Sequence, residues 1–290
     1  MNLVPSPLQK VTSSLERSFR VGGLAADAPN RRTGYVPAVR ETVASIGNSA
    51  WTRIPMPIRR RKRFVRELGI VSVAYVAYFG ARGLTVGDLN DALSNAAVII
   101  DVERALGLFV EPTIQGALVG YDWTLKLASW LYMFGHLPVI GLIGIWLYRK
   151  KWDRYRIYRN ALMISGAIGL VMYVLYPVAP PRLIGEKLVD TVTMYSNAYH
   201  VLQPSWLTNQ LAALPSLHFG WNLIVGIALL RETRHLLGRV LGVASPMIML
   251  AVIIVTANHY FIDAVVGGGV ALVGLAVSAR ITTKPSAPPA

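Results

Sequence analysis

Six apolar segments, each about the length of a membrane-spanning helix, limit what this chain can fold into more than any other feature of its sequence. A helix needs about 20 mostly apolar residues to cross a bilayer. Because 53% of the 290 residues are hydrophobic and only 15% are charged, the bilayer is the expected solvent. We therefore predict an all-α integral membrane bundle of six transmembrane helices. The six segments are 68–86, 123–148, 158–178, 216–230, 241–257 and 260–279.

The chain divides into a membrane domain and two tails. Residues 1–57 show no helical or strand periodicity, and residues 281–290 are rich in proline, so we expect both to be disordered. The membrane domain is expected at 58–280. Its first long connection, 88–120, has apolar residues at helical spacing, which predicts an amphipathic helix on the membrane surface. These residues are Val98, Val102, Ala105, Leu106 and Phe109.

The net charge of +14 comes from cations that stand beside the apolar segments. They cluster at 59–66, where the N-terminal tail meets the first apolar segment, at 149–159 and at 231–239, which are alternate connections. This distribution argues against nucleic-acid binding and follows the positive-inside rule, which predicts a multi-pass protein with both termini cytoplasmic. The clusters could also bind anionic lipids, although a topology signal is the simpler interpretation. The other three connections, 87–122, 179–215 and the turn around Asn258, are then extracytoplasmic.

The motif Asn-His-Tyr-Phe-Ile-Asp at 258–263 carries the first candidates for chemistry. His259 and Asp263 are four positions apart, so on a helix they share one face. An aspartate bonded to one imidazole nitrogen fixes the tautomer and leaves the other nitrogen as an oriented lone pair, as a nucleophilic histidine requires. Asn258 is a candidate phosphate ligand. The alternative is a structural His–Asp pair at a helix end.

A second motif, Leu-Pro-Ser-Leu-His, occupies 214–218. Pro215 suits the first position of a helix, where the free backbone N–H groups that follow can bind an anion. Ser216 can add a hydroxyl donor for phosphate. His218 lies in the same turn, where it could protonate a leaving alkoxide as a general acid. An ordinary polar helix terminus is the alternative.

The motif Ala-Pro-Pro-Arg ends at Arg182 and is the first of the three along the chain, with 214–218 as the second and 258–263 as the third. A guanidinium matches two phosphate oxygens and keeps its charge, although an interfacial anchor is also possible. The chain has no cysteine, which excludes thiol nucleophiles, thiolate metal sites and disulfides. One arginine, one serine, two histidines and one aspartate on one face predict phosphoryl transfer through a phosphohistidine, without a metal or other cofactor.

At these residues the sequence resembles the type 2 phosphatidic acid phosphatase superfamily, and most of all its inositolphosphorylceramide-synthase-like branch. That branch has Pro-Ser-Leu-His where this chain has 215–218, and its nucleophile motif matches 258–263. The stretch 100–112 and the motif at 179–182 are also similar. The resemblance covers roughly residues 68–279.

The resemblance implies a six-helix bundle with a nucleophilic His259 held by Asp263, and an acid His218. It further implies phosphate ligands from the first two motifs, a lipid or polyprenyl phosphate substrate, and water or an alcohol such as inositol or a sugar as acceptor. The phosphatase branch has a Ser-Arg pair where Val252 and Ile253 stand here, and a Lys before the arginine of its first motif that this chain lacks. Arg182 would then carry more of the phosphate charge.

Two other functions fit parts of the sequence. A polyprenyl-phosphate-dependent glycosyltransferase would use Asp101 and Glu103 as an acidic pair and would require a divalent metal. A proton-coupled transporter would use His136, which lies within an apolar segment, as a relay; pairing of His136 with a hydroxyl of Tyr132 or Tyr173 is its structural interpretation. Neither function explains why two histidines and an arginine gather on one side.

Overall fold

The computed structural model describes residues 58–84, 87–185, 188–195 and 209–282, and helices account for most of these ranges. A π-helical turn, Leu131–Gly135, joins α4 to α5 without a break, and a short 3-10 helix occupies Pro181–Leu183. The α-helices, in chain order, are α1 (Ile58–Leu84), α2 (Leu89–Leu106), α3 (Glu111–Leu118), α4 (Asp122–Trp130), α5 (His136–Lys150), α6 (Trp152–Leu175), α7 (Thr191–Tyr195), α8 (Leu217–Glu232), α9 (Leu236–Val255) and α10 (Phe261–Thr282).

The predicted tails fall mostly outside these ranges. The N-terminal tail, 1–57, lies entirely outside the described residues, as do 283–290 of the C-terminal tail. Helix α10 continues to Thr282, two residues into the segment that we expected to be disordered.

Five helical segments are long and apolar enough to cross a membrane, among the residues that the structure describes. The expected fourth span corresponds to α8, which has 16 residues and therefore a length of about 24 Å, short of the roughly 30 Å hydrocarbon core. The prediction of an all-helical membrane protein is confirmed, and six complete crossings remain a prediction. The five segments are Arg60–Leu84, Asp122–Lys150, Trp152–Leu175, Leu236–Val255 and Phe261–Thr282.

Helix α8 lies in the interior of the membrane domain and packs against α5, α6, α9 and α10. Its contact with α10 depends on two glycines, Gly220 and Gly267. A methyl group on Gly267 would overlap the backbone of Ser216, and one on Gly220 would overlap the carbonyl oxygen of Gly267. These glycines bring the N-terminal turns of α8 and α10 together, and each of those turns follows or contains one of the predicted motifs.

Ion pairs join α1, α6 and α8 at the end of the bundle where the basic segments lie. Glu67 of α1 pairs with Arg159 of α6. Glu232, the last residue of α8, lies 3.1 Å from the Nζ atom of Lys151 and 3.4 Å from the Nε atom of Arg154. Parts of the three predicted cationic clusters therefore lie side by side, and the motifs at 179–182 and 214–218 lie at the opposite ends of α6 and α8.

The connection between α1 and α4 is helical, and its position on the membrane surface stays a prediction. Gly107, in the left-handed conformation with φ of +68°, ends α2 and separates it from α3. Three of the predicted apolar residues, Val98, Val102 and Leu106, are exposed. The buried face consists of Ala92, Ala96, Ile99, Ile100 and Glu103.

Candidate active site

All three predicted motifs contribute to one polar pocket. Its volume is about 60 Å³, enough for several water molecules or small polar groups. Helix α1 and the π-helical turn with the start of α5 complete its walls. The functional side chains that line it are Arg82, Tyr132, His136, Arg182, Asn258, His218 and His259.

His259 lies in the turn between α9 and α10, not on a helix. Ala257, with φ of +50°, adopts a left-handed conformation that residues other than glycine rarely take, and it turns the chain after α9. The Nδ1 atom of His259 lies 2.7 Å from the carbonyl oxygen of Ala213. Because a carbonyl only accepts, Nδ1 carries the proton of the neutral ring. The Nε2 atom is buried without a hydrogen-bond partner, and its lone pair is available.

Asp263 contacts His259 as predicted, but the two do not share a helix face, because α10 begins at Phe261. Its Oδ2 atom lies 3.4 Å from the Nδ1 atom of His259 and accepts a hydrogen bond of 2.9 Å from the backbone of Tyr260. The carbonyl oxygen of Asp263 accepts a 2.9 Å hydrogen bond from the backbone N–H of Ser216. Asp263 thus connects the second motif to the third.

His218 lies in the first turn of α8 and faces His259. The two ring centroids are 5.8 Å apart. The ring of His218 stacks on Tyr132 and meets the ring of His136 edge-on, with a centroid separation of 4.3 Å in both cases. Two aromatic side chains therefore fix the orientation of His218 next to the candidate nucleophile.

Ser216 is not among the residues that line the pocket. It is fully buried, and its hydroxyl caps α8 by accepting a hydrogen bond from the backbone N–H of Phe219. The first helical residue is therefore Leu217, not Pro215, whose carbonyl accepts a 2.9 Å hydrogen bond from Tyr173. In this arrangement the Ser216 side chain organises the helix start, and its direct contact with phosphate stays a prediction.

Arg182 lines the pocket, and its side chain is held in place by Asn258 and Asp190. Its Nη1 atom donates a 2.7 Å hydrogen bond to the Oδ1 atom of Asn258, and its Nε atom lies 3.2 Å from the Oδ2 atom of Asp190. Asn258 in turn donates from Nδ2 to the carbonyl of Thr256. Asn258 therefore lines the pocket while it also positions Arg182.

Arg82 and Tyr132 are pocket residues that the sequence analysis did not identify. Arg82 is in the last turn of α1, about 100 positions before the first motif. The sequence feature that could have identified Arg82 is its position close to the end of an apolar segment, where an ionisable side chain is a functional candidate. Tyr132 was considered only as a partner for His136, whereas its ring stacks on His218.

Two buried glutamates support the start of α10 from outside the pocket. The Oε1 atoms of Glu111 and Glu103 accept hydrogen bonds of 2.8 and 2.7 Å from the backbone N–H groups of Phe261 and Ile262. Burial, reinforced by the charges of Glu111 and Asp263, raises the pKa of Glu103 to about 8, and burial also raises the pKa of Glu111. At neutral pH the pair therefore holds a proton.

The residues that the two alternative functions require do not form sites of their own. Asp101 is exposed whereas Glu103 is fully buried, so they do not act as a pair, and neither lines the pocket. Within the described ranges, no group of three or more histidines, aspartates or glutamates is arranged to hold a metal ion. His136 lines the same pocket as His218.

Comparison with known proteins identifies one family. The family model described as the PAP2 superfamily matches residues 97–277, which is more than half of the chain and includes all three motifs. No curated protein matches, and no solved structure matches. The matched region includes His218, His259 and Arg182 of the pocket. The chain belongs to the PAP2 superfamily, whose members are phosphatases and phosphotransferases, and it is therefore an enzyme of phosphoester chemistry.

Proposed function

We propose that this membrane enzyme transfers or hydrolyses the phosphate of a lipid-linked phosphoester through a phosphohistidine at His259. One observation carries the proposal. The Nε2 atom of His259 is buried in the pocket without a partner, its Nδ1 proton is held by a carbonyl, and a second imidazole lies 5.8 Å away. A nucleophile requires an oriented, unprotonated nitrogen, and general acid catalysis requires a second ionisable group within reach of the leaving oxygen.

The reaction has two steps. In the first, the Nε2 lone pair of His259 attacks phosphorus, the bond from phosphorus to the lipid oxygen breaks, and His218 gives its proton to that oxygen. In the second, His218 removes a proton from water or an alcohol, the resulting oxygen attacks phosphorus, and the P–N bond breaks. Both residues return to their initial protonation states, and the proposed scheme includes no metal ion or other cofactor.

Several donors can stabilise the charge on phosphorus in the transition state. Arg182 supplies a guanidinium, and the N-terminal turn of α8 supplies backbone N–H groups next to His218. Asn258 lines the pocket between Arg182 and His259, and its amide is a further candidate ligand. Ser216 acts indirectly in this scheme, since its hydroxyl caps α8.

The acceptor decides between hydrolysis and transfer. The motif Pro-Ser-Leu-His at 215–218 favours the inositolphosphotransferase-like branch, in which an alcohol such as inositol or a sugar takes the place of water. The lipid is then a phosphodiester or a polyprenyl phosphate. The positive-inside rule favours an extracytoplasmic pocket, cytoplasmic termini, and contacts between the basic segments and anionic lipids.

The same proposal places α8 as a sixth crossing and the exposed apolar face of α2 on the membrane surface. The support for α8 is its interior position among four helices, where the protein rather than lipid surrounds its ends. The support for α2 is the exposure of Val98, Val102 and Leu106 along one side of the helix.

The test uses purified protein, a panel of lipid phosphates and a metal chelator. We expect turnover to be abolished by His259→Ala and lowered roughly 100- to 10,000-fold by His218→Ala. His235, which is exposed, provides the matched control His235→Ala. Vanadate, which mimics five-coordinate phosphorus, should inhibit the wild type. Activity that needs added metal, or that survives His259→Ala, would remove the proposal.

A further inference from the structure

We propose that Glu103 and Glu111 are positioning residues for His259, which share one proton and hold the turn between α9 and α10 in place only while that proton is bound. Neither glutamate lines the pocket, so both act through the backbone and not on the substrate. This inference rests on the proposed function and adds a dependence of the same site on pH.

Helix α3 holds both ends of the turn that carries His259. The Nε2 atom of Gln115 donates a 3.0 Å hydrogen bond to the carbonyl oxygen of Val255, the last residue of α9. Glu111, four positions earlier and on the same face of α3, accepts a 2.8 Å hydrogen bond from the backbone N–H of Phe261, the first residue of α10. The position of His259 therefore depends on how α3 is held.

Three carboxyl groups bind the backbone N–H groups at the start of α10. Such N–H groups have no partner within their own helix, and the helix dipole favours negative charge beside them. The acceptors are Asp263 for the N–H of Tyr260, Glu111 for that of Phe261 and Glu103 for that of Ile262. Glu103 extends from α2 and Glu111 from α3, so the two glutamates attach α10 to two separate helices. The position of this helix start therefore depends on the state of the two side chains.

The two glutamates share one proton. Both side chains are fully buried, and their Oε2 atoms receive no hydrogen bond from any other described residue. The two carboxyl groups are instead hydrogen-bonded to each other, which requires that one of them is protonated, because two carboxylates have only acceptors. Burial and the charges of Glu111 and Asp263 raise the pKa of Glu103 to about 8, so Glu103 is the donor at neutral pH.

Loss of this proton weakens the attachment of α10. The charged groups that face Glu103 are Glu111 of α3 and Asp263 of α10. Once Glu103 is ionised, it repels both neighbours, and burial makes this repulsion strong. The two glutamates then move apart together with the N–H groups that they bind. A displacement of about 1 Å in the turn that carries His259 is enough to lower turnover roughly 100-fold.

The first test compares three variants of the purified full-length protein at pH 7, on a lipid phosphate that the wild type turns over. Glu103→Ala removes the hydrogen bonds to Ile262 and Glu111, and we expect kcat to fall roughly tenfold to a hundredfold with little change in KM. Glu103→Gln can make both bonds and should restore most of the lost kcat. Asp101→Asn, on the exposed face of α2, is the matched control and should leave both constants unchanged. Wild-type kcat in Glu103→Ala, or a loss in KM alone, would overturn the positioning role.

The second test is the ratio of kcat for Glu103→Gln to kcat for the wild type between pH 6 and pH 9. Ionisation of His218 affects both proteins alike and cancels in this ratio. The ratio should rise roughly tenfold between pH 7 and pH 9, because only the wild type loses the shared proton near pH 8. Glu111→Gln also leaves a single negative charge in the pair, should show the same rise, and decides the question if the Glu103 variants fail to fold. A flat ratio would overturn the shared proton, whereas failure of the proposed function would be seen as turnover that survives His259→Ala.

Discussion

At the scale of single residues, a backbone carbonyl holds His259 more closely than the aspartate that was predicted to orient it. The distance from Nδ1 is 2.7 Å to the carbonyl of Ala213 and 3.4 Å to Asp263. The carbonyl alone fixes the tautomer, so the carboxylate contributes chiefly by stabilising positive charge on the ring as the P–N bond forms.

Asp263→Asn should therefore be less damaging than loss of the nucleophile. The amide oxygen can still accept from the backbone of Tyr260, while the negative charge is lost. We expect kcat to fall roughly tenfold to a hundredfold, about 1.4–2.7 kcal/mol, with little change in KM. Steady-state kinetics on the lipid substrate would measure it. A loss as complete as that of His259→Asn would mean that the carboxylate, not the carbonyl, sets the tautomer.

The site residues that could be predicted from sequence are those with distinctive side chains in short motifs. His259, His218 and Arg182 all line the pocket, as their residue types suggested. The Ala213 carbonyl could not be predicted, because a backbone atom has no sequence signal. Arg82 could not be assigned, because its distance from the motifs along the chain hides its proximity in the fold.

At the scale of elements, the contact between α8 and α10 sets the distance between the two catalytic histidines. Gly267 allows the two helices to pack closely, because a methyl group at this position would overlap the backbone of Ser216. Gly269, two positions later, has nothing within 4 Å of such a methyl group. Helix α10 therefore contains one position at which an added methyl group disturbs packing, Gly267, and one control position at which it does not, Gly269.

Gly267→Ala should push α8 away from α10 and lower both stability and turnover. We expect a destabilisation of about 1–3 kcal/mol, typical of overpacking, and a drop in kcat because His218 moves relative to His259. Thermal unfolding in detergent and kinetics measure the two effects. Gly269→Ala should be neutral or slightly stabilising, since alanine favours the helix. The same response from both variants would contradict the packing argument.

The glutamates that cap α10 predict a specific dependence of stability on pH. The pKa of Glu103 is about 8 in the folded protein against an ordinary value of 4.5. Between these values the folded state binds more protons than the unfolded state, so stability falls as pH rises from about 4.5 to about 8. The charges that face Glu103 are those of Glu111 and Asp263, and both oppose its ionisation.

Glu103→Gln should remove most of this dependence. Glutamine stays neutral, and its oxygen can accept the hydrogen bond from Ile262. We expect the unfolding temperature of wild type to decline between pH 5 and pH 8 more steeply than that of the variant, as followed by tryptophan fluorescence. The exposed Asp101 serves as control, and Asp101→Asn should keep the wild-type slope. Parallel slopes for wild type and Glu103→Gln would show that Glu103 is ionised throughout.

At the scale of the whole molecule, hydropathy identified the helices because a segment that lipid surrounds must be apolar and long enough to cross the bilayer. This requirement becomes weaker where protein replaces lipid. Helix α8 is shorter than a standard span and four helices enclose it, and residues 88–120 bury two glutamates while Val98, Val102 and Leu106 are exposed. These outcomes depend on tertiary neighbours that periodicity does not report.

The orientation of the bundle can be tested with single cysteines, because the chain contains none. Asp101 is exposed on α2, near the motifs, and Lys150 is exposed at the basic end. If the positive-inside rule holds, a membrane-impermeant maleimide should label Asp101→Cys in intact cells and Lys150→Cys only after permeabilisation. Labelling of both from outside would place the two ends on one side of the membrane, and the reverse pattern would place the pocket in the cytoplasm. The reverse pattern would exclude the extracytoplasmic phosphate chemistry proposed for His259, and labelling of both would contradict the predicted topology.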